Sequence, residues 1–360
     1  MIKKECFTAE WIEQVSSELH YNDKNLIEKV IRALSLLEML VKAGCPLVFK
    51  GGTALMLILG KSAHRLSIDI DLICPPGTNI EDYLKSFADF GFINLELVER
   101  KQRDDADIPK SHSKFFYQIA YRNDTDAQSY ILLDVLYEDI HYFRTQQIAI
   151  NCPFIRLEGK PLMVTVPSAE DILGDKLTAF APNTTGIPYY RNGRSCSMEI
   201  AKQLYDVGRL FENVSDLQIT KEAFRKIAVV ELSYRSFGTD IGQVFNDIRQ
   251  TALCISTRGK AGEGDFDLIQ DGIIRVKSFM YKQRYLIDHA IIDAARAAYL
   301  ATLIEKGINE IESYSNTPAD IKDMVIRPSL PNKLNKLRSN LPEAYYYCLL
   351  YTSPSPRDRG

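Results

Sequence analysis

Three aspartates in the sequence are spaced so that they could bind a divalent cation. Asp69 and Asp71 are separated by one residue, so on a β-strand their side chains share one face about 6–7 Å apart. Asp134 interrupts the apolar run Ser129–Tyr137, which is typical of a central strand buried on both faces. Close carboxylates resist joint ionisation without a cation, and their hard oxygen atoms suit magnesium. The three residues therefore predict a site for one or two Mg²⁺ ions.

Each of these observations also has a plainer explanation. An Asp-x-Asp pattern is common at solvated strand ends, where it binds nothing. A carboxylate inside a buried strand needs a partner, and for Asp134 an ion pair with a nearby Lys or Arg would serve as well as a metal. The glycine turn upstream of Asp69 favours the metal interpretation.

This turn consists of Gly51, Gly52 and Thr53, which follow the predicted strand Pro46–Phe49 and begin a short helix. The first backbone N–H groups of a helix have no partner within the helix, and they bind phosphate well. The segment therefore predicts a cradle for the triphosphate of an NTP beside the metal site.

These features together resemble a known superfamily. The glycine turn, the short helix, the phrase Arg65-x-Ser67-x-Asp69-x-Asp71 and the later strand aspartate look like the nucleotidyltransferases with a polymerase-beta-type catalytic fold. Within that superfamily, segments 49–55 and 65–71 are similar to the AbiEii/AbiGii toxin family of bacterial abortive-infection and toxin–antitoxin systems, whose relatives include the MenT toxins. The resemblance covers about residues 45 to 210.

The resemblance implies an enzyme that transfers a nucleoside monophosphate from an NTP to an acceptor hydroxyl and releases pyrophosphate. A tRNA end or a protein would be the acceptor, and a cognate antitoxin would be the regulating partner. Arg65 and Ser67 would join the glycine turn in binding the nucleotide. Asp134, or its metal-bound surroundings, would activate the attacking hydroxyl.

Two later segments extend the resemblance. Residues 170–179 resemble the family's lysine-bearing helix, which implies that Lys176 contacts the nucleotide and offsets triphosphate charge. Residues 202–207 resemble a segment with two acids, of which Asp206 is the second and would orient Lys176 or the acceptor hydroxyl. Without the resemblance, both side chains would be read as exposed helix positions. Gln203 replaces the first acid, and an amide cannot act as a base.

Two other function classes stay open at this point. A small-molecule nucleotidyltransferase of the antibiotic-modifying kind would share the catalytic strands but would need an acidic acceptor pocket for amines. A degenerate transferase could instead be retained as a non-catalytic module that binds a partner. Nothing in the sequence identifies the NTP or the acceptor.

Composition favours a cytoplasmic enzyme without a membrane segment. The chain has 360 residues, is 46% hydrophobic and has a formal net charge of -3. This net charge does not give the overall positive potential that favours nucleic-acid binding. Its seven cysteines are scattered without a Cys-x-x-Cys pair, which argues for a reducing compartment and against a zinc site. No apolar run approaches the length of a membrane span.

The order of predicted elements indicates an α+β protein. We expect a polymerase-beta-type core, in which helices flank a mixed sheet, followed by a mainly helical C-terminal domain. The expected organisation is N-terminal helices packing on the core (1–44), the nucleotidyltransferase catalytic domain (45–167), a helical domain completing the cleft (168–347) and a tail (348–360).

The hydrophobic patterns predict the following elements. The predicted helices of the first half are Ala9–Leu19, Asn25–Lys42 and Ile80–Phe90, the last ended by Gly91. The predicted strands are Pro46–Phe49, Ile93–Arg100, Lys114–Tyr121, Tyr130–Tyr137, Phe154–Arg156 and Met163–Val166. Further helices are predicted at Met198–Phe211, Lys221–Tyr234, Ile241–Ile255, Asp267–Met280 and Arg284–Gly307.

Two other segments carry predictions. The loop Asn183–Arg194 combines Tyr and Arg side chains suited to phosphate and base contacts, although its composition is also that of an ordinary polar loop. From Cys348 onward, one choice of codons reads like a transposon-based sequencing adapter. We therefore expect residues 348–360 to be a disordered tail that is foreign to the gene.

Overall fold

The structure is a computed structural model that describes residues 1–98, 110–122, 127–214, 216–234, 238, 240–315, 321, 324–326 and 332–352. The chain forms two compact units. The sheet unit comprises residues 1–168 and 278–284, and the helical unit comprises residues 169–277 and 285–360. Within the described residues, no helix is both long and apolar enough to cross a membrane.

The sheet unit is built on five strands in the order β1-β2-β5-β4-β3. These strands are β1 (Val48–Lys50), β2 (Ile70–Cys74), β3 (Asn94–Val98), β4 (Lys110–Gln118) and β5 (Gln128–Tyr137). β2 and β5 are parallel and the other neighbours are antiparallel, so the predicted mixed sheet is confirmed. A second pair joins β6 (Thr145–Ala149) to β7 (Met163–Pro167).

The two faces of the sheet differ in burial along β5. Along β5, Ile131, Leu133 and Val135 are buried, whereas the alternating Leu132 and Asp134 are only half-buried. The helices of this unit are α1 (Ala9–Glu18), α2 (Lys24–Lys42) and α3 (Gly51–Leu59), and α2 packs on β2 and β5. Strand alternation therefore sends every second side chain of β5 into the core and leaves its neighbours on what we call the open face.

Residues 278–284 belong to the sheet unit, although they lie between two stretches of the helical unit in the sequence. Leu66 N–H donates to the Phe279 carbonyl at 2.8 Å, and the Tyr281 hydroxyl donates to the Ala63 carbonyl. The predicted helix Asp267–Met280 is therefore too long: the α-helix ends at Val276, because the following residues bond to the segment before β2.

The helical unit contains nine α-helices among the described residues. They are α4 (Ala169–Ala179), α5 (Ser197–Phe211), α6 (Leu217–Ser233), α7 (Ile241–Ser256), α8 (Phe266–Val276), α9 (Ile287–Lys306), α10 (Asn332–Asn335), α11 (Leu337–Asn340) and α12 (Pro342–Thr352). A short hairpin pairs β8 (Tyr190–Arg191) with β9 (Arg194–Ser195). The predicted helical character of this half of the chain is confirmed.

Two predicted elements of the sheet unit are wrong. The predicted helix Ile80–Phe90 is two separate 3₁₀ turns. Leu84 and Phe90 both enter the core, whereas six residues of α-helix would place them about 120° apart around the helix axis. Phe154–Arg156 is not a strand. Phe154 is instead fully buried against the Tyr281 ring, and the partner of β7 is β6.

The start of the expected tail is ordered. Residues 348–352 form the end of α12, and Cys348, Leu349 and Leu350 are buried where α12 packs on α9. The expectation of disorder is therefore wrong for these five residues, because their apolar side chains continue the buried face of the helix. Residues 353–360 lie outside the described part of the chain.

Candidate active site

The strand register places two of the predicted carboxylates side by side. Asp71 on β2 pairs directly with Asp134 on β5, and paired residues of neighbouring strands point to the same face. Asp69 lies just before β2, two residues before Asp71. All three side chains are half-buried, whereas the intervening Ile70 is fully buried. The strand that was predicted to carry both aspartates therefore carries only Asp71, because β2 begins at Ile70.

The carboxylates belong to a row of polar residues that crosses four strands. Lys50 on β1 pairs with Asp71, and His112 on β4 pairs with Asp134. The row therefore reads Lys50, Asp71, Asp134, His112 across the open face. Sequence reasoning missed its two ends because strand patterns do not reveal which strands are neighbours.

Asp134 has a partner, but not the one that its sequence context suggested. The Asp134 carboxylate shares a hydrogen bond with His112 Nδ1, in place of an ion pair with Lys or Arg. Its side chain is 37% exposed, so the prediction that β5 is buried on both faces is wrong at this position. His112 is buried and its Nε2 has no hydrogen-bond partner, so the ring is held by packing and by Asp134.

Gly51 begins α3 directly against the second carboxylate. A β-carbon built on Gly51 would lie 2.1 Å from Asp71 Oδ2, and the backbone φ of Gly51 is +77°. Glycine is therefore required here both for space and for conformation. The contact places the negative charge of Asp71 at the helix N-terminus, where it is stabilised by the helix dipole.

The neighbouring Gly52 contacts the two predicted nucleotide-binding side chains. A β-carbon on Gly52 would lie 2.7 Å from Ser67 Oγ and 3.0 Å from Arg65 Nη2. The Thr53 hydroxyl is buried and donates to the Asp69 carbonyl at 2.7 Å. The Thr53 side chain thus connects α3 to the residue that precedes β2, and its hydroxyl is already bonded within the protein.

The donor set of the open face suits a hard divalent cation, because it combines the paired carboxylates of Asp71 and Asp134 with the nearby Asp69. These side chains are not arranged as a preformed metal-coordination site. In the described part of the chain, no three His, Cys, Asp or Glu residues converge as a metal site. The strand register therefore supports the predicted ligand set without showing its coordination.

A lysine that sequence reasoning did not select approaches this site from α2. Burial lowers the pKa of Lys29, while the negative charges of Asp69 and Asp23 oppose that shift. The Lys29 ammonium also lies 5.5 Å from the centroid of the Tyr130 ring on β5. Helix α2 reads as an ordinary amphipathic core helix, so only the folded contacts reveal this lysine.

Lys176 and Asp206, which the sequence analysis linked by resemblance, contact each other inside the helical unit. Lys176 Nζ lies 3.0 Å from Asp206 Oδ2, and it donates to Gln203 Oε1 at 2.9 Å. The side chains of Lys176 and Asp206 are only 9% and 2% exposed. Their reading as exposed helix positions is therefore wrong, and Gln203 takes part in the same cluster.

The loop Asn183–Arg194 is structural at its beginning. Asp247 on α7 accepts from the backbone N–H of Asn183 at 2.9 Å and from the Thr184 hydroxyl at 2.8 Å. Burial raises the pKa of Asp247, and these donors oppose the shift. The start of the loop is thus fixed to the helical core, while the hairpin residue Tyr190 is exposed.

Comparisons with known proteins bear on this geometry. The family model "Nucleotidyl transferase AbiEii toxin, Type IV TA system" matches residues 34–312, which is more than half of the chain. No curated protein matches the sequence.

Two solved structures match over most of the chain at low identity. JHP933 from Helicobacter pylori is 15% identical, with a TM-score of 0.39 over 86% of this chain and 95% of its own. The nucleotidyltransferase toxin MenT4 from Mycobacterium tuberculosis is 14% identical, with a TM-score of 0.39 over 95% of this chain and 99% of its own.

Proposed function

The chain belongs to the AbiEii family of nucleotidyl transferase toxins, and on that premise we propose that it is a metal-dependent enzyme that transfers a nucleoside monophosphate from an NTP to an acceptor hydroxyl. The observation that carries the proposal is the pairing of Asp71 with Asp134 on the open face, beside the helix N-terminus at Gly51. Carboxylates for a cation and N–H groups for phosphate thus occur side by side, as phosphoryl transfer requires.

Asp69, Asp71 and Asp134 would hold one or two Mg²⁺ ions. A bound ion would neutralise charge on the triphosphate and on the departing pyrophosphate. The N–H groups of Gly51, Gly52 and Thr53 belong to the first turn of α3, have no partner within the helix and would bind phosphate oxygens, with Arg65 and Ser67 against the turn.

The proposed reaction forms one bond to the α-phosphorus and breaks another. The acceptor oxygen forms a bond to the α-phosphorus, and the bond from that phosphorus to the oxygen of the pyrophosphate breaks. Asp134 accepts the proton of the attacking hydroxyl, and His112 holds that carboxylate through its hydrogen bond.

Lys176 and Asp206 enter the proposal through the family resemblance. Lys176 would offset triphosphate charge and Asp206 would orient it, in keeping with their contact at 3.0 Å. Gln203 supplies an amide oxygen to the same ammonium where the family pattern has an acid. The pair is also a buried structural element, so its catalytic role must be tested separately from stability.

The partners follow from the family. A type IV toxin–antitoxin family implies an antitoxin and an NTP substrate. We place the enzyme in the cytoplasm, where NTPs are present and where its seven free cysteines would stay reduced. A tRNA end or a protein is the proposed acceptor.

The proposal is tested with NTPs that carry a label on the α-phosphate. The protein is incubated with each of the four NTPs and Mg²⁺, against total tRNA, cell protein or aminoglycosides. We expect label on tRNA or protein, and its loss in Asp69→Ala and on metal chelation. Label on aminoglycosides would instead indicate the small-molecule class. No transfer to any acceptor would overturn the proposal in favour of a binding module.

A further inference from the structure

Arg65, which is predicted to bind the nucleotide, lies on a stretch without regular secondary structure of its own. Residues 63–69 belong to no helix or strand, and a single antiparallel β-bridge joins Arg65 to Met280. The Arg65 side chain is buried all the same, and Gly52 approaches it so closely that a β-carbon there would lie 3.0 Å from Arg65 Nη2. Contacts from another part of the chain must therefore fix the backbone that carries this guanidinium.

Residues 278–284 supply those contacts, and we call them the inserted segment. On one side of the bridge, Leu66 N–H donates to the Phe279 carbonyl at 2.8 Å. On the other side, Tyr281 N–H donates to the His64 carbonyl at 3.0 Å. This is the hydrogen-bond pattern of an antiparallel strand pair, so the inserted segment provides a strand partner for the nucleotide-binding stretch.

Leu66 connects the inserted segment to the guanidinium. Its N–H group is bonded to Phe279, and its carbonyl accepts from Arg65 Nη1 at 3.0 Å. Leu66 is fully buried, so water does not compete for either bond. The head group of Arg65 is thus oriented by a residue whose backbone is bonded to the inserted segment.

Tyr281 anchors the inserted segment in the core of the sheet unit. Its side chain is buried, and its ring packs edge to face against Phe154, with the centroids 5.2 Å apart. Its hydroxyl donates to the carbonyl of Ala63, two residues before Arg65. Burial raises the pKa of Tyr281 to about 12, so the hydroxyl keeps its proton and remains a donor at neutral pH. Tyr281 therefore contacts the nucleotide-binding stretch through its hydroxyl as well as through its N–H group.

We propose that Tyr281 is a positioning residue for nucleotide binding, because it fixes the backbone that directs Arg65 towards the glycine turn. A triphosphate bound at the first turn of α3 then meets the guanidinium, whose paired N–H groups suit phosphate. This inference deepens the proposed function and rests on it. A tyrosine that only stabilised the core would change the free energy of unfolding and leave the affinity for triphosphate unchanged.

The test uses inorganic tripolyphosphate with Mg²⁺, which probes the glycine turn without a base or an acceptor. Isothermal titration calorimetry gives its Kd for the wild type and for Tyr281→Phe, which removes the hydroxyl and keeps the ring. We expect Tyr281→Phe to raise this Kd about fivefold, because the bond to the Ala63 carbonyl is lost. With a labelled NTP, the same variant should raise the KM for NTP about fivefold and change kcat less than about twofold.

Tyr345→Phe is the matched control. Tyr345 is a buried tyrosine of the helical unit, and its hydroxyl also donates to a backbone carbonyl, that of Met324, at 2.7 Å. This variant should lose stability as Tyr281→Phe does and bind tripolyphosphate as the wild type does. Equal weakening of tripolyphosphate binding by the control would overturn the inference.

A double-mutant cycle tests whether Tyr281 acts through Arg65. Arg65→Ala removes the guanidinium that Tyr281 is proposed to position. Adding Tyr281→Phe to Arg65→Ala should therefore raise the Kd for tripolyphosphate less than about twofold further. A full fivefold effect in the Arg65→Ala background would show that Tyr281 acts by another route and would overturn the inference.

The remaining outcomes separate the inference from the proposed function. Unchanged Kd and KM in Tyr281→Phe, with transfer intact, would overturn the inference and leave the function standing. If no acceptor is ever labelled but Tyr281→Phe weakens the binding of tripolyphosphate, the inference stands and the transfer function fails. A wild type that neither binds tripolyphosphate nor transfers label would overturn both.

Discussion

The two units differ in the burial and in the pairing of their charged residues. On the open face of the sheet unit, Asp71 and Asp134 are paired in register as like charges and remain half-exposed. In the helical unit, Lys176 and Asp206 are almost fully buried and form an ion pair of opposite charges at 3.0 Å.

The contrast separates a binding site from a structural element. Adjacent carboxylates repel each other, so their charge is available to a cation that would relieve the repulsion. A buried ion pair satisfies its own charge, and breaking it leaves an uncompensated charge in a low-dielectric interior. We therefore expect substitutions on the open face to affect activity and substitutions in the buried pair to affect stability.

The largest effect is expected for Asp71→Asn. Loss of one carboxylate from the paired set should lower nucleotidyl transfer at least about a thousandfold, while the free energy of unfolding changes by less than about 1 kcal/mol. Label transfer gives the first quantity. Fluorescence of Trp11, the single tryptophan of the chain, during urea unfolding gives the second, because Trp11 is buried in the sheet unit. Asp89→Asn, at an exposed acid of the same unit, should leave both unchanged.

Asp206→Ala should strongly destabilise the helical unit, in addition to any loss of transfer that acts through Lys176. Leaving the Lys176 ammonium buried without its carboxylate should lower the free energy of unfolding by about 3–5 kcal/mol, measured by far-UV circular dichroism in urea. Replacing both partners, in Lys176→Met with Asp206→Leu, should restore most of that stability. A single variant as stable as its exposed control Asp267→Ala would contradict a structural role for the pair.

Gly51→Ala tests whether the glycine turn must lie against Asp71. The added methyl group would meet the Asp71 carboxylate as well as strain a positive φ, so we expect transfer to fall about a hundredfold and stability by about 2 kcal/mol. Gly44→Ala is a matched control, because Gly44 has a φ of +76° but no neighbour within 4 Å of the added atom. It should lose about 1 kcal/mol of stability and keep its activity. If Gly44→Ala lowered activity as much as Gly51→Ala, backbone strain and not the contact with Asp71 would explain the loss.

His112→Ala tests whether a neighbour positions Asp134. Removing the partner of that carboxylate should lower kcat about tenfold to a hundredfold and leave the KM for NTP nearly unchanged. His112→Asn, whose amide can replace Nδ1 as a hydrogen-bond partner, should recover part of kcat. His141→Ala is the control. If the Asn variant were no better than the Ala variant, packing rather than positioning would explain the effect.

The smallest effect concerns the pH dependence of stability in the helical unit. Burial raises the pKa of Asp293 to about 6, against the opposing charges of Arg209 and Arg296. Because the folded pKa lies above the unfolded one, protonation of Asp293 favours the folded state below about pH 4, and this contribution is lost as the pH rises through 6. Asp293→Asn should therefore remove on the order of 1 kcal/mol of pH-dependent stability between pH 4 and 7. Urea unfolding across that range, compared with the wild type, measures it; parallel curves would contradict the assignment.

Much of the catalytic segment could be predicted from the sequence because its determinants are local. The glycine turn begins a helix as expected, and Asp71 lies on the strand that follows it. The predicted helices of the second half are also present, since amphipathic periodicity is read within a single segment. Local patterns failed where the outcome depended on distant partners. Leu84 and Phe90 illustrate this, because both are buried in the core and the segment that contains them forms two 3₁₀ turns in place of the predicted helix.

The sequence by itself determined the side-chain alternation within β5 and the presence of the amphipathic helices, because both follow from backbone periodicity. Only the tertiary structure decided that β2 and β5 are neighbours in register, since strand order depends on contacts between segments far apart in the chain. That pairing sets Asp71 beside Asp134, gives Asp134 its partner in His112, and brings Lys29 from α2 to Tyr130. The chemistry of the open face thus resides in contacts between strands and helices, which no single segment encodes.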